Sequence, residues 1–154
     1  MKIYKAVFKG SEKDTFLPWS TINNITIPKY NKYKIGETTK RKNGWGPLCG
    51  FPDLETCIDF ILKNGRDYLT IVAVLEATGK RSEDTESIWY PIGRQRYSII
   101  KNDLPRNTVL LDEITIVRPL LTRMDEFLLY LRTKERANSE VKQLLHSFTR
   151  IANS

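Results

Sequence analysis

The 154-residue chain predicts an α+β fold: a mostly antiparallel sheet with one packed helix and a C-terminal helical tail. Three observations predict it. Alternating or β-branched segments recur along residues 1–119, a single strong helical stripe lies at 53–64, and the apolar period becomes helical after Pro119. The expected division is an α+β domain over 1–119 and a helical extension over 120–154.

Each element has its own warrant. Lys2 to Phe8 alternates, with Ile3, Lys5 and Val7 on one face and Tyr4, Ala6 and Phe8 on the other, and reads as a strand. Residues 9–48 show little periodicity, apart from a weak alternation of Ile22, Ile25 and Ile27, and read as a long functional loop. Asp53 is a good N-cap, with Glu55 in the first turn where the helix dipole favours an acid. Leu54, Cys57, Ile58, Ile61 and Leu62 then form one apolar stripe, stopped by Asn64-Gly65. Ile58, Ile61 and Leu62 should pack on the strand carrying Ile71, Val72 and Val74. That strand, Tyr68 to Ala77, is almost wholly apolar and predicts burial on both faces. Thr78 to Ser87 reads as a charged loop.

Ile88–Ile92 and Arg96–Ile100 read as a hairpin turning near Gly93, with Pro91 marking an edge. Asp103 to Asn107 is a turn, and Thr108 to Arg118 a second strong strand closed by Pro119. Beyond it, Leu121, Met124, Phe127, Leu128 and Leu131 keep helical spacing, as do Val141, Leu144, Leu145, Phe148 and Ile151. Ser139 is a candidate cap between the two stretches. The first stripe could pack back on the sheet. The second predicts a homodimer, since an exposed stripe of that length calls for a cover.

Composition narrows the function classes. With 40% hydrophobic and 28% charged residues the chain can bury a core, which excludes a disordered or low-complexity protein. Cys49 and Cys57 are too few for a disulfide framework, no apolar run is long enough to span a membrane, and the N-terminus reads as a strand rather than a signal peptide. A cytoplasmic location is the expectation. The net charge is +7, and the first 48 residues alone hold ten Lys/Arg against three acids. That asymmetry points to an anionic partner: a nucleotide, a nucleic acid or an acidic surface.

Little conventional chemistry can be assembled. His146 is the only histidine, so two-histidine chemistry is out, and one His with two Cys builds no zinc site. There is no P-loop, no G-x-G-x-x-G and no nucleophile elbow. Cys57 belongs to the helical stripe and reads as core. The remaining candidates are Tyr30, Tyr33, Lys40, Arg41, Lys42 and Trp45, whose interleaved rings and cations suit bases and phosphates. Glu113 joins them: an acid near the start of an apolar strand, sharing a face with Thr115 and Val117 opposite Ile114 and Ile116.

Read together, several segments resemble the ADP-ribosyltransferase-like fold, as in small phage and viral proteins. Ile3-Tyr4-Lys5-Ala6 resembles the family's opening strand. Gly44-Trp-Gly-Pro-Leu-Cys-Gly-Phe51 is similar to the glycine-and-aromatic segment before its helix, and Glu113-Ile-Thr-Ile-Val-Arg-Pro119 to the strand that opens with the catalytic glutamate. Lys5 stands near the place of the family's Arg or His, and its second motif has no clean counterpart around Trp45 to Phe51. The resemblance implies a nucleotide-binding domain without catalysis, with Lys5 among its ligand-binding residues. An alternative is an active transferase using NAD, with Glu113 stabilising positive charge at the sugar carbon. A viral origin would place it in the host cytoplasm. A third reading is a homodimeric interaction protein.

Overall fold

The computed structural model describes residues 1–18, 32–65 and 69–137. The chain divides into two units, Met1–Thr122 and Arg123–Ser154. The first is mixed α+β with a mostly antiparallel sheet. Its strands are β1 (Lys2–Lys9), β2 (Thr15–Pro18), β3 (Tyr33–Lys34), β4 (Thr38–Lys40), β5 (Leu48–Gly50), β6 (Val72–Arg81), β7 (Ser87–Ile92), β8 (Gln95–Ile100) and β9 (Val109–Leu121). Helix α1 (Leu54–Gly65) lies between β5 and β6.

The large sheet runs β3-β2-β1-β6-β9-β4, with β5 also paired to β9. Two contacts join its opposite sides. Gly36 N–H donates to Ile116 O at 2.8 Å, and Tyr4 and Phe51 exchange backbone bonds of 2.7 and 2.9 Å. The sheet therefore curls round one core of Ile3, Val7, Phe16, Tyr33, Leu48, Leu75, Leu111, Ile114 and Ile116. Ala73 and Ala77 flank Leu75 along β6, small residues that leave room for the larger ones opposite.

Helix α1 covers the outer face of β1 and β6. Cys57, Ile58 and Ile61 are fully buried, as are Val72 and Val74, so the stripe faces as its spacing requires. Thr56 N–H donates to Asp53 Oδ1 at 2.7 Å, the N-cap bond. Two partners differ from expectation: Leu62 is only half-buried, and Ile71 lies just before β6 and is exposed. Burial pushes the Cys57 thiol far up, in keeping with a packing role.

Other expectations need correcting. Residues 9–48 are not one long loop, for they hold β2 to β4 and reach the edge of β5. Strands of two to four residues are too short to show a period and exist because distant strands hydrogen-bond them. Strand β6 starts later than expected and continues through Thr78–Arg81, where it pairs with β9 from Thr115 back to Leu111. Pro119 does not end β9. It sits opposite Leu75 at a register shift, past the reach of β4 and β5, where a missing N–H is tolerated. Leu121 accordingly belongs to β9 and not to a helix.

The expected hairpin is present as a separate two-stranded sheet of β7 and β8. Gly93 has φ +58°, as its two-residue turn demands. In the second unit residues 124–137 are helical, and the Glu126 carboxylate accepts from Arg123 N–H at 3.1 Å across the first turn. Met124, Leu128 and Leu129 are exposed. The stripe from Val141 to Ile151, together with Ser139 and His146, lies outside the described residues. Among the described residues no helix is long and apolar enough to cross a membrane.

Two carboxylates tie stability to pH. Lys2 at 2.6 Å and Arg118 at 2.5 Å hold the Glu76 carboxyl below the usual range. The Thr56 side chain and backbone N–H do the same for Asp53. A depressed folded pKa contributes stability that is fully present above the ordinary carboxylate range and fades as pH falls through the folded value. Denaturant unfolding should therefore show a plateau between about pH 5 and pH 7 and a decline below about pH 4. Glu76→Gln should make that decline shallower, and an identical acid limb in the variant would count against the Glu76 cluster as its source.

Candidate functional site

The residues singled out by sequence fall into three places. Lys5 shares the inward face of β1 with Ile3 and Val7, and its ammonium donates to Cys49 O while lying 5.4 Å from the centre of the Tyr33 ring. Lys5 is 9% exposed and Tyr33 1%. This pair is interior, and a carbonyl and a ring partner the cation. Burial pushes the Tyr33 hydroxyl and the Cys49 thiol up.

Glu113 points away from that core, because Ile114 and Ile116, which alternate with it along β9, belong to it; a register shift opposite Lys80 and Arg81 lets Leu111 face the core as well. Strand β9 runs between β4 and β6 there, so Glu113 is flanked by Lys40 and Lys80. Its carboxylate lies 3.6 Å from Lys40 Nζ. Lys5 and Glu113 thus face opposite sides of the sheet and do not converge. Tyr30 lies outside the described residues.

The third place gathers Arg41 and Trp45 with residues that sequence reasoning left out. Trp45 stacks on Tyr90, with ring centroids 5.8 Å apart and planes at 26°. Tyr90 pairs across the hairpin with Tyr97, ring centroids 5.5 Å apart. The three rings form a continuous ladder, exposed at Tyr97 and half-buried at Trp45 and Tyr90. On the hairpin's other face Trp89 lies under two guanidinium groups, Arg96 at 4.5 Å and Arg41 at 5.7 Å. Arg41 is further held by Asp84 at 2.7 Å and Asp112 at 3.4 Å.

The hairpin is seated on the 44–47 turn. Gly46 N–H donates to Trp89 O at 2.8 Å, and a Cβ on Gly46 would lie 2.5 Å from Trp89 N, so only glycine allows this approach. The stretches that carry the ladder bring cations, and acids reach them from other segments: Glu113 at Lys40, and Asp84 and Asp112 at Arg41. Residues 38–46 hold Lys40, Arg41 and Lys42, residues 87–101 hold Arg94, Arg96 and Lys101, and neither stretch contains an acid. A signal for Tyr90 and Tyr97 was available: a two-residue turn at Gly93-Arg94 fixes the register that puts them opposite each other.

Two clefts open on either side of the 103–107 turn. One of about 700 Å³ is lined by Arg81, Lys101 and Arg106 with no acid. The other, of about 590 Å³, is lined by Asp53, Glu55, Asp59 and Asp103 together with Lys63 and Arg106. Glu113 lines neither. Among the described residues no group of three His, Cys, Asp or Glu side chains is placed to hold a metal ion. Compared with protein-family models, curated proteins and solved structures, the chain matches none.

Proposed function

We propose that the protein is a binding module for a nucleotide-bearing polyanion, in the first place single-stranded nucleic acid, held on the Trp45–Tyr90–Tyr97 ladder. The observation that carries this reading is the ladder itself: one stacked ring pair continued by a tilted one, partly open to solvent, in chain segments that bring cations and no acids. Bases stack on such rings whatever their sequence, while lysines and arginines meet the phosphates. Lys40 is well suited to the second task, with 73% of its side chain exposed. The degenerate ADP-ribosyltransferase-like resemblance agrees with a nucleotide ligand but adds no site residue to the ladder.

The test is fluorescence anisotropy of a labelled oligothymidylate with the full chain across a salt series. Binding should weaken as salt rises. Replacing Lys40 and Lys42 by glutamine should reduce the log–log slope by about 0.7 for each phosphate that these lysines neutralise. An unchanged slope would return them to the role of a solvated surface. Absence of binding at low salt would remove the proposal. Release of nicotinamide from labelled NAD, abolished by Glu113→Gln, would establish the transferase reading in its place.

A further inference from the structure

The basic cleft is a second site that the ladder does not use. We propose that it binds the phosphomonoester dianion of a small ligand about the size of a mononucleotide. Arg81 arrives at the end of β6, Lys101 follows β8, and Arg106 stands on the turn before β9, so three cations from separate elements line one cavity. Among the described residues none of the three is ion-paired, whereas Lys2, Lys40, Arg41, Arg118 and Arg123 each have a carboxylate within 4 Å. Arg106 also borders the acidic cleft, but no acid lines this one; like charges gathered in it repel one another, and a doubly charged anion between them reverses the sign of that interaction. The arginine forks match phosphate oxygens, and lysine adds a point charge.

The rest of the cleft argues for more than a bare ion. Its volume of about 700 Å³ is far larger than a phosphate, and Leu104 and Leu110 supply an apolar floor. The walls are fixed before any ligand arrives. Thr108 Oγ1 donates to Pro105 O at 2.5 Å, Asp84 N–H donates to Ser82 Oγ at 3.1 Å, and Lys101 N–H donates to Glu86 O at 2.7 Å. Asn107 holds the turn with φ +64°, a conformation asparagine tolerates. A preformed cavity gives up less conformational freedom on binding.

Calorimetric titration of the full chain with AMP, ribose 5-phosphate and adenosine decides the matter. AMP should bind at least tenfold more tightly than adenosine, and ribose 5-phosphate should retain part of that affinity. Arg81→Gln and Lys101→Gln should each weaken AMP at least fivefold, while Lys13→Gln, at an exposed lysine that lines neither cleft, should leave it unchanged. Circular dichroism confirms that the variants fold. Equal binding of AMP and adenosine, no effect of the two cleft variants, an equal loss of AMP binding in Lys13→Gln, or no AMP binding at millimolar concentration would each overturn the proposal. The ladder reading survives or fails separately, on the oligothymidylate.

Discussion

Replacing Trp45 by alanine is expected to weaken oligothymidylate binding by about 5- to 150-fold, since one base–ring stack is worth about 1–3 kcal/mol. Trp45 is the end ring of the ladder and its only member outside the hairpin, so truncation opens one face of Tyr90 without touching the β7–β8 register. Phenylalanine at the same position should recover much of the affinity, since a flat ring is what a base requires. A Trp45→Ala variant that binds as tightly as the parent would show that the rings serve packing alone. Glu113→Gln, whose partner is Lys40, should move affinity in the opposite direction or not at all, because it removes a negative charge.

The second large effect is on stability. Ile61→Ala should cost about 2–5 kcal/mol, because Ile61 is fully buried on the helix face that covers β1 and β6. Urea unfolding followed by circular dichroism measures it as a lower midpoint at constant slope. A cost below about 0.5 kcal/mol would be out of keeping with a filled site and would mean that the neighbouring side chains close over the gap.

Much of the fold was legible where a segment is long enough to show a period. Strand β1, helix α1 with its Asp53 cap, and the hairpin follow from alternation, stripe and turn chemistry. The short strands β2 to β5 carry no such signal, because two to four residues are held by partners far along the chain, as Thr38–Lys40 are by Glu113–Thr115. Lys5 carries two signals. Alternation puts it on the face of Ile3 and Val7, where the fold has it, and the charge that suggests a ligand meets Cys49 O and the Tyr33 ring there. Arg41 looked like one of a trio with Lys40 and Lys42, but Asp84 and Asp112 claim it from distant segments. The basic cleft was illegible in principle, since Arg81, Lys101 and Arg106 share no local pattern and meet only through topology.

The seat of the hairpin has a mechanical consequence. Strands β7 and β8 form a sheet of their own, joined to the body by covalent continuity at each end, by the close approach of Gly46 to Trp89, by the Trp45–Tyr90 stack and by Arg41 over Trp89. Such an appendage is a local unfolding unit: its amides can exchange with solvent through openings that leave the curled sheet closed. The rings offered to a ligand would then sit on the least costly part of the unit to deform, where a bound strand can pull Tyr90 and Tyr97 into register with its bases while the core behind Ile114 stays still. Occupancy would be recorded as slowed exchange in residues 87–100 alone.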